Sequence, residues 1–426
     1  MQVTSHLKTS RSCALFGSFG EPNNANIWLN LPTANAPMSC WIWQHPEWPR
    51  FGWQADVLAP LLRDIALAQG RLLGRAGASD AALRVEFNLD TLLQNLINSS
   101  AIEGERLNVD SVRSSLARRL GLKADVRQPD AGSEGLARMV WDATTQLDAP
   151  LDEVRLRQWH AWLFAGDDGF LGQRIRIGDW RGSEPMQVVS GRIDRPTVHF
   201  EAPPREGLEA RIAEFVAWFN SSRGDVSLDP LLRAAIAHFC FVTLHPFDDG
   251  NGRLTRALTD LALAQGEPQS IRFYAMSAAI LADRKGYYQQ LEFAQKLLEP
   301  EQSIDLTPWL QWFLLTLRTA IHSAEAQIDR VLDKSRFWQQ RRALSLSAEQ
   351  VKVLNRLLDG DQPERGGFAE GISAAQYQAV AKVSKATATR HLADLIAKGC
   401  LVRLPGGGRS TRYQIQWQRE HTDADA

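Results

Sequence analysis

Between His245 and Arg256 the chain reads HPFDDGNGRLTR, twelve residues that carry an imidazole, two carboxylates, a Gly-Asn-Gly run and two arginines. The imidazole of His245 is the one side chain here able to exchange a proton near neutral pH. Gly250, Asn251 and Gly252 stand where a helix should begin, so unpaired amides and the positive end of a helix dipole would face whatever lies in front of them. Glycines let an anion approach that backbone closely and let its amides form a concave nest. Arg253 and Arg256 are three residues apart and share one side of the helix. Guanidinium forks suit phosphate oxygens. Asp249, just before the nest, offers the hard oxygen ligand that a cation bridging phosphates needs. A polyphosphate, Mg²⁺ and a hydroxyl to be deprotonated fit this inventory, which is the equipment of nucleotidyl or phosphoryl transfer.

Two helices must hold these residues. The run DPLLRAAIAHFCFVTL has a proline in its first turn, and Leu232, Ala235, Ile236, Phe239 and Thr243 recur at the spacing of one helical face. His245-Pro246 should end that helix, because the residue before a proline is pushed out of the α region. RLTRALTDLALAQG then resumes helical periodicity as far as Gly266. Taken one at a time these residues are ordinary. A His-Pro can simply end a helix, Gly-Asn-Gly is a common turn, Asp248 can cap a loop and first-turn arginines are often just solvated.

In this order and spacing, HPFDDGNGR with a further arginine at position 256 resembles the signature of the Fic (Fic/DOC) family, His-Pro-Phe-x-Asp/Glu-Gly-Asn-Gly/Lys-Arg-x-x-Arg, at every fixed position. The resemblance implies a protein adenylyltransferase that moves AMP from ATP to a Ser, Thr or Tyr hydroxyl. It makes His245 the base and Asp249 the Mg²⁺ ligand. Gly250, Asn251 and Gly252 would be the anion hole for the α- and β-phosphates, with Arg253 and Arg256 on the β- and γ-phosphates. About 140 residues upstream, SSAIEGERL (Ser99 to Leu107) resembles the family's inhibitory motif, Ser/Thr-x-x-x-Glu-Gly/Asn, at Ser99, Glu103 and Gly104. A glutamate reaching Arg256 would form a bidentate pair in place of the γ-phosphate. The alternative for this stretch is an ordinary helix C-terminus with a Gly stop. An inhibitory helix ahead of the core corresponds to the family's second class.

The remainder of the chain is consistent with a globular protein. It has 426 residues, 44% of them hydrophobic, and a net charge of −1, so no global field draws it to nucleic acid or to an anionic membrane. Cys13, Cys40, Cys240 and Cys400 are scattered, which indicates neither a disulfide framework nor a zinc site. No apolar run is long enough to span a membrane, and a cytoplasmic location follows by default. Residues 1–37 lack periodicity and read as disordered, or as an extension ahead of a start at Met38. From Trp41, WIWQHPEWPRFGW holds four tryptophans in thirteen residues. It resembles the Trp-rich domain that precedes the core in some bacterial Fic proteins, and we assign it to core packing. Gln187 to Ser190 and Thr197 to Glu201 form short β-runs. In Fic proteins a flap lies there and grips the target main chain by strand addition, which here involves Val188 and Val189. The resemblance also places Tyr287 and Tyr288 against the adenine and ribose.

At the C-terminal end SAEQVKVLNRLL, SAAQYQAVAKVS and SKATATRHLADLIAKGCL read as three helices, and VRLPGGGRSTRYQIQW reads as a hairpin, the order of a winged helix. Eight Lys/Arg stand against one acid between Lys382 and Arg419, so this patch can touch DNA or serve as a dimer or partner contact. The expected fold is therefore mainly α: a Fic-type core with a β-hairpin flap and a C-terminal winged helix-turn-helix. Its layout is a Trp-rich domain over 38–125 with the inhibitory helix at about 90–104, a catalytic core over 126–300, a helical connector over 301–344, a winged helix over 345–418 and a disordered tail over 419–426. The function expected is autoinhibited AMP transfer to proteins, the chain itself included, in a homodimer with no membrane partner. The alternatives are a DNA-binding regulator whose nucleotide site only senses, or an enzyme that chiefly removes AMP. Transfer of UMP, GMP or phosphate also stays open.

Overall fold

The computed structural model describes residues 40–123, 129–166, 175–192, 195–267, 273–297, 303–359, 368, 371–405 and 411–417. The extension expected over 1–37 and the tail expected over 419–426 lie outside these residues. The chain divides into two compact units, Met1–Ala324 and Glu325–Ala426. It is mainly helical, as its periodicities predict.

The first unit opens with β1 (Cys40–Trp41), then α1 (Ala55–Gly77), α2 (Ala81–Ile102), α3 (Val109–Arg119), α4 (Ala131–Thr145) and α5 (Glu153–Leu163). A hairpin of β2 (Gln187–Arg192) and β3 (Arg195–Glu201) leads to α6 (Leu208–Ser221), α7 (Pro230–Leu244), α8 (Asn251–Gly266), α9 (Met276–Ala282), α10 (Arg284–Gln295) and β4 (Lys296–Leu297). α11 (Thr307–Gln340) carries the unit boundary.

α7 is the centre of the first unit. Asp229 caps it through the Leu231 amide, Pro230 occupies its first turn, and every residue from Leu231 to Leu244 is buried. A helix apolar all round must be enclosed all round. α8 packs along it, and Trp309 of α11 reaches back to donate from Nε1 to the Ala235 carbonyl at 2.9 Å. α4 packs on α3, α5 and α8, while α2 lies on α9 and touches α8.

Trp41 meets Phe200 edge-on at 5.5 Å, and Trp43 Nε1 donates to Glu201 O at 2.7 Å. With Met186 and Ala202 they form a small apolar cluster beneath the hairpin. These tryptophans thus support the flap strands by packing.

The second unit holds α12 (Ala348–Leu358), α13 (Ala374–Ala381), α14 (Lys385–Ala397) and a hairpin of β5 (Leu401–Arg403) and β6 (Tyr413–Ile415). Ser347, Ser373 and Ser384 cap its three helices, the first two with reciprocal Gln350 and Gln376 bonds. Phe337, Val353, Leu354, Tyr377, Leu392 and Leu401 are among its buried core. Among the described residues no helix is long and apolar enough to cross a membrane.

Helices α4 and α5 approach through Gly135, where a Cβ would collide with the Trp162 carbonyl. Gly135→Ala should therefore destabilise the protein by about 1–3 kcal/mol, as overpacking does. Gly70→Ala in α1, whose Cβ would meet nothing, should stabilise it by about 0.5–1 kcal/mol. Chemical denaturation of both variants tests this; equal effects would show that α4 and α5 are not in such close contact.

Candidate active site

α7 stops at His245, whose backbone is left-handed (φ 49°, ψ 57°) and whose N–H donates to Phe241 O. The proline after it does drive His245 out of the α region, although into the left-handed basin rather than into extended backbone. Such a conformation costs about 1–3 kcal/mol in a non-glycine residue and persists only where its surroundings fix it. Buried Arg181 does so. Its N–H donates to Pro246 O at 2.9 Å and its Nε to His245 O at 2.9 Å. Asp248 accepts from the amides of Arg176 (3.1 Å) and Gly182 (3.2 Å).

From the other side, the His160 ring of α5 stacks flat on Phe247, 4.1 Å between centroids and 7° between planes. The Gly178 amide can only donate, so His160 Nδ1 accepts from it (2.9 Å) and Nε2–H donates to Asp249 O (3.2 Å). Burial pushes the pKa of this imidazole down to about 4 and keeps it neutral. Asn251 closes the loop: its Oδ1 accepts from Phe247 N–H (2.9 Å) and its Nδ2 donates to Phe247 O (2.8 Å). Its side chain is thus committed to the turn, and only backbone amides at this position can face an anion. α8 begins at Asn251, with left-handed Gly250 (φ 78°) as its cap, so two residues of the Gly-Asn-Gly run are already helical.

His245 is 5% exposed, and its Nδ1–H donates to Val242 O at 2.9 Å, which makes Nε2 the basic nitrogen. Burial lowers its pKa to about 4, with the Arg181 guanidinium contributing and the Val242 bond opposing. Asp249 is shifted the other way, up to about 6. Burial raises it and Arg253 restrains it, while Glu105 and Glu103 add to the rise. Among the described residues no three His, Cys, Asp or Glu side chains gather as a metal cage. A cation at Asp249 would therefore take one carboxylate oxygen here and the rest from phosphate and water, a donor set that suits Mg²⁺.

Both arginines are buried and both are held by carboxylates. Arg256 donates from Nε to Ser99 Oγ (2.8 Å) and from Nη2 to Ser99 O (2.9 Å) and Glu103 Oε1 (2.7 Å). The pair with Glu103 is single-pronged rather than bidentate: Nη2 alone reaches the carboxylate, and Ser99 takes Nε and a second bond from Nη2. The Glu103 carboxylate lies over the first turn of α8, where a Cβ on Gly252 would collide with Oε1. A side chain at position 252 would require that carboxylate to move aside. Arg253 donates from Nη1 to Glu105 Oε1 (2.5 Å), and its Nη2 stands 3.8 Å from Asp249 Oδ2.

Two sequence expectations change. Tyr287 lies in the core, 2% exposed, with its hydroxyl 3.0 Å from His238 Nε2 and its ring among Trp309 and Trp312. No base can stack on it in this arrangement. Tyr288 beside it has Arg284 over its ring and its hydroxyl 3.5 Å from Ile102 O, next to the end of α2. Val189 is 2% exposed and Val188 packs on the Trp41 cluster, so neither side chain is presented outward by the hairpin. Glu105, His160 and Arg181 were missed. Of these, Glu105 had a readable signal, an acid two residues beyond Glu103 in SSAIEGERL.

Residues 150–263 match the Fic/DOC family, and residues 41–122 match a domain of unknown function, DUF4172. Among curated proteins the chain is similar to "Protein adenylyltransferase Fic" of Nematostella vectensis, 33% identical over 208 residues, which is 48% of this chain and 44% of that protein. It is also similar to "Protein adenylyltransferase fic-1" of Caenorhabditis briggsae, 45% identical over 79 residues, 18% of this chain and 15% of that one. The chain thus spans less than half the length of these relatives. A solved Fic family protein from Desulfovibrio desulfuricans G20 aligns with a TM-score of 0.44 at 19% identity, covering 84% of this chain and 97% of that one.

Asn251→Ala should destabilise the loop. It leaves the amide and carbonyl of buried Phe247 without partners, at about 1–3 kcal/mol for an unsatisfied group. Thermal unfolding of the variant measures this, and an unchanged midpoint would mean that water replaces both bonds.

Proposed function

We propose that this chain, which carries a Fic/DOC-family domain over residues 150–263, transfers AMP from ATP to a Ser, Thr or Tyr hydroxyl of a protein, itself included, and is held back by Glu103. The observation that carries the reading is the Glu103 carboxylate on Arg256 above the first turn of α8. An anion already fills a place built for one.

The chemistry follows from the residues. With Nδ1–H committed to Val242 O, His245 Nε2 takes the proton of the incoming hydroxyl. The hydroxyl oxygen attacks the α-phosphorus, the bond to the bridging oxygen of the β-phosphate breaks, and pyrophosphate leaves. Backbone amides at Gly250 to Gly252, with the dipole of α8 behind them, hold the charge on the α- and β-phosphates. Arg253 and Arg256 take the β- and γ-phosphates. Mg²⁺ bound through Asp249 would neutralise part of the phosphate charge. The flap strands would hold the target main chain by strand addition, which suits a range of sequences. A site that only senses nucleotide would have no use for a desolvated, neutral base at His245.

Three variants test the assignment, read by self-modification with labelled ATP. Glu103→Gly should raise the rate about ten- to a hundredfold, since a charge-assisted pair is worth about 1.5–3 kcal/mol. Arg256→Ala breaks the same pair but should not activate, because the γ-phosphate loses its ligand. His245→Ala should abolish transfer while ATP still binds. Equal rates for the wild type and Glu103→Gly, both folded, would reduce the glutamate to a helix end.

A second reading concerns Glu325–Ala426. Its three helices and hairpin follow winged-helix order, and Lys382, Lys385 and Arg390 are exposed at the start of α14. The one acid of this patch, Asp394, is tied to Lys398 and Gln350. We propose that this face contacts DNA phosphates. Affinity for random duplex should then fall steeply with salt through counterion release, and deletion of 345–426 should abolish it while sparing AMP transfer. Retained DNA binding after the deletion would remove the assignment.

A further inference from the structure

The inhibitory motif assigns one carboxylate, yet the structure places two on the arginines of α8. We infer that Glu105 is a second inhibitory carboxylate, holding Arg253 as Glu103 holds Arg256, and that Gly104 is the joint which aims both. The inference rests on reading the site as a nucleotide site and adds a separate element to its regulation.

α2 ends in a two-bond helix stop. Glu103 is its cap, Gly104 turns left-handed (φ 84°), the Gly104 amide donates to Ala101 O (3.0 Å) and the Glu105 amide to Ser100 O (3.0 Å). The two bonds fix the backbone on both sides of the glycine. Glu103 and Glu105 therefore leave a rigid reversal only two residues apart, toward arginines three residues apart on α8. The glycine is at once the helix stop and the spacer between the acids.

Arg253 is nearly enclosed, with 5% of its side chain exposed, and a buried guanidinium needs an anionic acceptor. Asp249 at 3.8 Å is beyond hydrogen-bonding distance, which leaves Glu105 at 2.5 Å as its direct carboxylate partner. A nucleotide whose phosphates span both arginines must displace both acids, so removing Glu103 frees only Arg256. Glu105 is 42% exposed where Glu103 is 11% exposed. It can turn out into water more easily, and its effect should be the smaller one.

The test is ATP binding by calorimetry, with Mg²⁺ present, in the full chain carrying His245→Ala so that no nucleotide is consumed. Into that background go Glu103→Gly, Glu105→Gln and the two together. Glu105→Gln keeps the size of the side chain at a half-exposed position. The double variant should bind ATP about three- to tenfold more tightly than Glu103→Gly alone. Equal affinities for the two would overturn the inference. Gly104→Ala, which strains the left-handed joint, should tighten ATP binding relative to the background by loosening both pairs. An unchanged affinity would remove the glycine's role. If no variant binds ATP, the underlying nucleotide reading fails, an outcome distinct from equal, measurable affinities.

Discussion

Arg256 is 3% exposed on a helix enclosed by the rest of the first unit, and a charge so placed must have an anionic partner in every populated state. An unpaired buried charge costs several kcal/mol. Burial alone would lower its pKa; Glu103, with Tyr287 and Tyr288 beside it, offsets burial, and the guanidinium stays charged with its pKa above the ordinary value. Ser99 supplies two neutral acceptors that fix the direction of the fork but leave its charge unmatched. Glutamate and phosphate are thus alternative answers to one electrostatic need. On the proposed reading, exchange of the Glu103 carboxylate for a phosphate at Arg256 would need no rearrangement of the fold.

The loop in front of Arg256 is held by charged Arg181 and Asp248 and by neutral His160, while neutral His238 ties α7 to α8 and α10. His160 and His238 each have both ring nitrogens engaged, by half-buried Gly178 and Asp249 for the first and by buried Thr259 and Tyr287 for the second. Burial depresses both, to about 4 and about 3, and His245 to about 4. A shifted pKa therefore does not distinguish His245 among the buried histidines. Its place does: it precedes α8 on a left-handed backbone turn that Arg181 holds.

Much of this could be read from the residues. The glycines mark the helix start, the apolar run without a polar face marks α7 as central, and the last three helices and hairpin follow from periodicity and turn chemistry. The proximity of Glu103 to Arg256, 153 residues apart, came from motif resemblance, since no periodicity carries contacts over that range. Glu105 has a partner almost as remote, 148 residues away, so local pattern does not pair it with Arg253. His160 supports a carbonyl 89 residues away and resembles any histidine on an apolar face. Tyr287 and Tyr288 are adjacent on a helix, so they point about 100° apart, and sequence does not say which one turns inward. Burial alternates along β2, with Gln187 and Val189 buried and Val188 and Ser190 half-buried, and Val188 is covered because the Trp41 cluster lies against its face of the hairpin.

The contact between Glu103 and Arg256 belongs to a wider seam. Asn95, Ser99 and Glu103 recur every four residues on one stripe of α2, and Gly252, Arg256 and Asp260 recur likewise on α8. Asn95 Nδ2 donates to Asp260 Oδ2 at 2.6 Å, Ser99 receives Arg256, and Glu103 covers Gly252. The two stripes meet in antiparallel order, with Asn95 also accepting from the Ser277 amide at 3.1 Å. Glu103 is the last rung, at the cap of α2, where a helix end frays most readily. A phosphate that replaces this carboxylate disturbs one rung and leaves the inner two in place. α2 can then stay seated on α8 while the nucleotide enters, with Ser99 still orienting Arg256 toward the incoming charge.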